Sequence, residues 1–117
     1  MIPDFTDNEI WIIRTALRER YGKDVEPEQV EIEMRLNPFS SQLTSCPAVF
    51  WSELGANFVI AKIGEQSYRP QFFYRVHQQF GTGVEQYSDL TQCVVTLLQV
   101  QADHSVKQAA ESGNQVL

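Results

Sequence analysis

The residue types able to do chemistry crowd into YRPQFFYRVHQQFGTG, residues 68–83, which holds aromatics, arginines, a histidine and a glycine pair. Outside it stand the cysteines Cys46 and Cys93 and the histidine His104. Base stacking needs exposed rings beside cations, and Tyr68, Phe73 and Arg75 are the residues to supply it. The same run also suits an ordinary β-arm, since strands favour aromatics. Gly81-Thr82-Gly83 lies where a phosphate loop could sit, between a strand and a helix. It lacks the Walker spacing and lysine and reads as a turn that needs positive φ. Cys93 and His104 share a helix face, but their spacing sets them roughly 16 Å apart along the axis. Zinc ligand bonds are about 2 Å, so these two cannot hold one ion, and no metal or cofactor is implied. Cys93 sits in an apolar stripe and reads as a core residue. Cys46, beside Pro47 in a polar stretch, is the better candidate for a reactive thiol. Arg69, Arg75 and His77 would be the polar groups of a small-ligand pocket near it.

The elements that must position these residues are legible from pattern. In FTDNEI, Thr6 reads as an N-cap with Glu9 closing a capping box, and Phe5 and Ile10 as the hydrophobic staple around it. Ile10, Ile13, Leu17 and Tyr21 share a helix face, and Gly22 ends the helix. In VEIEMRL the residues Val30, Ile32, Met34 and Leu36 alternate with Glu31, Glu33 and Arg35, the mark of a strand with one buried face and one solvated, acidic face. Asn37-Pro38 ends it, and residues 38–47 read as a polar connection before a short strand at Ala48 to Trp51. NFVIAKI and the run from Tyr68 form a hairpin around Gly64-Glu65-Gln66. Pro70 belongs at an edge or bulge, because it cannot donate to the ladder. Ser88 or Asp89 caps a second helix whose main stripe is Leu90, Cys93, Val94, Leu97 and Val100. From about Ser105 the sequence turns polar and reads as a tail.

These elements predict a single α+β domain over residues 1–117, with an antiparallel sheet of three or four strands and both helices on one face. The element order resembles that of the double-stranded-RNA-binding domain, which grips phosphates with lysines at the start of its last helix. Ser88, Asp89, Leu90 and Thr91 hold that place here, so the resemblance is one of order alone. The chain has 117 residues, 43% of them hydrophobic, with net charge −6. An acidic balance weighs against nucleic acid, whose binders carry basic patches. No apolar run approaches the about 20 residues of a membrane span. The start lacks the features of a signal peptide, and two cysteines suit a reducing compartment. A soluble, cytoplasmic protein is the expectation.

Surplus apolar surface points to protein interaction more than to catalysis. Val95, Leu98 and Ala102 line a second flank of the last helix, beyond the stripe one core requires. They call for cover, by the loop from Asn37 to Pro47 or by another chain, and a homodimer through this helix would supply it. Trp11 beside Arg14 and Arg18 on the first helix forms a separate candidate docking patch, since Trp and Arg dominate hot spots. The expected function is therefore a non-enzymatic interaction or regulatory module. The alternatives are the ligand pocket near Cys46 and single-stranded nucleic-acid binding through Tyr68, Phe73 and Arg75.

Overall fold

The computed structural model describes residues 2–74 and 79–116, with side chains as far as residue 107. Helix α1 (Asp7–Tyr21) is followed by strands β1 (Glu28–Met34), β2 (Thr44–Glu53), β3 (Ala56–Gly64), β4 (Ser67–Phe73) and β5 (Gln79–Phe80), and then by helix α2 (Leu90–Val116). The strands lie in chain order in one antiparallel sheet. Both helices pack on the same side of it, around Val49, Trp51, Phe58, Ile60 and Phe72. This is the α+β architecture expected from the sequence, with five strands in place of three or four, the short β5 being the addition.

Local chemistry sets the ends of α1. Thr6 Oγ1 accepts from the Glu9 N–H at 3.1 Å, and Glu9 Oε1 accepts from the Thr6 N–H at 2.7 Å, closing the capping box. Phe5 and Ile10 are both buried as the staple requires. Gly22, at φ +70°, ends the helix with its N–H on the Arg18 carbonyl. In α2 the N-cap is Asp89, whose Oδ1 accepts from the Gln92 N–H at 3.1 Å. The helix then runs through Val116, past Ser105, where the sequence suggested a tail. Gln101 and His104 continue its buried stripe instead of ending it. Gln101 Nε2 donates to the Tyr74 hydroxyl at 3.3 Å, and the His104 ring lies 4.5 Å from that of Phe80.

The strands differ from expectation at the prolines. β2 starts at Thr44, so Cys46 and Pro47 belong to a strand and not to the polar loop predicted over residues 38–47. Between Thr44 and Pro47, β2 pairs only with β1, and its pairing with β3 begins at Ala48. One backbone side is free there, and a residue without an N–H is tolerated. Pro70 follows the same logic on β4. Tyr68 exchanges both backbone hydrogen bonds with Tyr87, and Phe72 pairs with Phe80. The Pro70 nitrogen points to the same edge, between these two pairings, so no ladder bond is lost. Between β2 and β3 the chain turns on Leu54 and Gly55, at φ +54° and +80°. Two positive φ angles match the twist of a two-residue hairpin.

Candidate interaction surface

Residues paired across an antiparallel ladder point to the same side of the sheet, so the register assigns every side chain to a face. The helix side takes Val49, Trp51, Phe58, Ile60, Tyr68 and Phe72. The other side takes Val30, Ala48, Ala61 and Arg69 in one row, with Glu28, Phe50, Val59 and Gln71 in the next. Ile32 and Cys46 extend this face at one end, and Phe73 extends it at the other. Cys46, Ala48 and Ala61 are buried at its floor, while Val30, Ile32, Met34, Phe50, Val59 and Phe73 are half-buried against one another. The rings of Phe50 and Phe73 lie 6.4 Å apart. The least dimension of the molecule is 20 Å, enough for one sheet and one helix layer at about 10 Å each. The apolar stripe of β1 therefore lies on the side away from the helices. Glu31 and Glu33 are on the helix side, yet they stay exposed.

The helix side hides a charged cluster. Lys62, only 2% exposed, donates from Nζ to Glu9 Oε1 at 2.7 Å and to the Asp4 carbonyl at 3.0 Å. Its ammonium lies 5.8 Å from the centre of the Phe5 ring. The Tyr68 hydroxyl donates to Glu9 Oε2. Burial pushes the Glu9 carboxyl up, but the hydrogen bonds from Lys62, Tyr68 and the Thr6 N–H, with the Lys62 charge, outweigh it and leave the group below its ordinary value. Burial, and then the Glu9 carboxylate, push the Tyr68 phenol up. The groove beside them, about 530 Å³, is open. Each polar atom of the trio is spent on another member or on the backbone, so the cluster fastens the start of α1 to β3 and β4 and offers no free base.

Lys62 is the residue that pattern reasoning missed. It falls on the parity of Phe58 and Ile60 in an apolar strand, and an inward lysine requires a buried partner. That parity was the available signal.

The structure places the other predicted site residues as follows. Leu98 is buried, 4% exposed, where α2 meets Ala16, Glu19 and Arg20 of α1. Helix α1 covers it, and neither the loop from Asn37 nor another chain is needed. Val95 is 52% exposed, and Ala102 is half-buried. Trp11 is 62% exposed. Arg14 and Arg18 turn to Glu26 and Asp24 of the segment entering β1. Cys46 is wholly buried, and burial raises its thiol pKa against the opposing pull of the Arg69 charge. That corrects the expectation of a loop thiol open to reaction. Arg69 does come beside Cys46, on the helix-free face, with its Nε buried and without a partner among the described residues. Arg75 and His77 lie outside the described residues. Tyr68 is buried on the helix side and Phe73 lies on the opposite face, so the two rings do not form one stacking platform. Gly83 has φ +90°, the turn conformation expected of it. Among the described residues no three of His, Cys, Asp or Glu gather as metal ligands, and no helix is long and apolar enough to cross a membrane.

Comparison with protein-family models, curated proteins and solved structures finds no match.

Proposed function

We propose that the protein is a small non-enzymatic interaction module whose main contact surface is the helix-free face of the sheet. The observation that carries this reading is the apolar row from Val30, Ile32 and Met34 across Phe50 and Val59 to Phe73, on a side where no second layer packs among the described residues. A sheet face of this composition is stable when another layer covers it. Four strands at about 4.8 Å and seven residues at about 3.3 Å give a projected area of roughly 440 Å². That is of the same order as the roughly 800 Å² each partner buries in a standard interface.

A second copy is the occupant this face fits best. Its charged members are Glu28 on β1 and Arg69 on β4, in adjacent rows at opposite margins. A two-fold axis along the strands lays β1 of one copy over β4 of the other. It brings Glu28 towards Arg69 twice, and supplies a partner for the orphaned Nε. Trp11 and Val95 offer a smaller docking point on the helix side. The two free thiols fit a cytoplasmic setting.

Light scattering tests the reading. At about 100 μM the protein should have the mass of a dimer, and Val59→Glu, which places a charge mid-face, should return it to the monomer. A monomeric mass for the unaltered protein at that concentration removes the second copy as occupant. A dimer that survives Val59→Glu moves the contact to another surface.

A further inference from the structure

The sheet has two edges, and they are not alike. β5 is two residues long, a short edge of the kind that discourages pairing. β1 is seven residues long, has β2 on one side only, and contains no proline. Its outer backbone groups form a row of about 23 Å. On the helix side this edge is acidic, with Glu31 and Glu33 exposed beside the neutral Gln29. On the other side it carries Val30, Ile32 and Met34, half-buried. An open hollow of about 410 Å³ borders this edge, lined by Gln29, Val30 and Glu31 of β1, Pro47 and Ala48 of β2, and Asp4 and Phe5 ahead of α1. At the end of β1, Phe39 and Leu43 stand 97% and 54% exposed on the connection to β2.

The geometry points to β1 as a strand-addition site for an extended segment of another protein that alternates lysine or arginine with aliphatic residues. The added strand would satisfy the free backbone row, set its cations against Glu31 and Glu33, and extend the apolar face with its aliphatic side chains. The acidic row weighs against a second copy here. Antiparallel pairing of β1 with itself sets Glu31 against Glu31 when centred on Glu31, and Glu31 against Glu33 twice when centred on Ile32, and like charges directly opposite are destabilising. This site goes beyond the sheet-face reading, because the edge stays free whether or not that face is covered.

Two labelled peptides test it, one alternating Lys with Val and Ile over eight positions, the other with Glu in place of each Lys. Anisotropy is followed at low salt, on the unaltered protein and on Val59→Glu. The Lys peptide should bind both proteins, with amide shifts concentrated in residues 28–34, and the Glu peptide should bind at least about tenfold more weakly. Glu31→Gln/Glu33→Gln, checked for folding by circular dichroism, should weaken the Lys peptide by a similar factor. Glu31→Lys/Glu33→Lys should reverse the preference. No saturable binding of the Lys peptide up to about 1 mM overturns the site. So do equal binding of the two peptides and indifference to both double variants. Binding to the unaltered protein that vanishes in Val59→Glu would move the peptide to the sheet face and end the edge reading. A monomeric mass with intact peptide binding would end the second-copy reading and keep the edge.

Discussion

At the scale of residues, the Glu9 carboxylate is the most heavily committed group among the described residues. It closes the capping box, pairs with Lys62 and accepts from Tyr68. Glu9→Gln leaves the Lys62 ammonium buried without its counter-charge, and removing one partner of a buried pair costs about 3–5 kcal/mol. The sign with pH follows from the direction of the shift. The folded carboxyl titrates below its ordinary value of 4.5, so its contribution is fully present above that value and is lost as pH falls through the folded pKa. The gap in unfolding free energy between the unaltered protein and Glu9→Gln should therefore be widest near neutrality and narrow as the pH is lowered beneath 4.5, as denaturant titrations across that range would read. A gap that is constant or widens towards acid contradicts the ionised assignment. The cysteines give a second residue-scale expectation. Cys46 and Cys93 are both wholly buried, and burial pushes the Cys93 thiol up to about 12. In the native protein both should label more slowly than a free thiol at neutral pH, and both should label freely in denaturant. Rapid native labelling of Cys46 would restore the ligand-pocket alternative.

At the scale of elements, what was legible depended on whether the signal was local. Helix α1 could be read to its ends because Thr6, Glu9 and Gly22 act within four residues of their partners. The alternation of Val30, Ile32 and Met34 declared a strand. Which face those residues would join is decided by pairing with Ala48, Cys46 and Thr44, and alternation alone carries no such information. Cys46 and Pro47 read as loop because proline is penalised in a strand. The penalty is absent where β2 has a single neighbour, which is a property of topology. Leu98 reads as surplus because one core requires a single stripe of α2, and the contact of α1 with the second flank is a tertiary one that periodicity does not carry. Leu98→Ala should accordingly cost about 3 kcal/mol, as a buried large-to-small change. An effect within about 0.5 kcal/mol, normal for a surface site, would mean that the flank is not packed. The β2–β3 turn carries an opposite expectation. Leu54 holds a left-handed conformation at φ +54° and is 82% exposed. That conformation costs a β-carbon residue about 1–2 kcal/mol, and Asn-Gly is the favoured pair for such a turn. Leu54→Asn should raise the thermal midpoint by a few degrees without changing the mass in solution.

At the scale of the whole molecule, the two layers are unequally finished. The helix side buries Ile13, Leu17, Phe58, Ile60, Val94 and Leu97 completely, or very nearly so. The other side leaves larger apolar side chains half-covered around a floor of Cys46, Ala48 and Ala61. If a second copy completes that side, folding and association are linked, because the dimer binds only the folded chain. Each tenfold rise in concentration above the dissociation constant then adds about 1.4 kcal/mol per mole of dimer formed. The thermal midpoint of the unaltered protein should climb by a few degrees per decade of concentration. In Val59→Glu the midpoint should be independent of concentration. It should also lie at or somewhat below that of the unaltered protein extrapolated to high dilution, since Val59 is half-buried among its neighbours in the monomer too. A concentration-independent midpoint in both proteins would mean that the half-covered face is stable in water as it stands. A concentration-dependent midpoint in both would place the contact on the exposed helix side, at Trp11 and Val95. The two failures lead to different surfaces, and only the predicted contrast between the proteins assigns the association to the sheet.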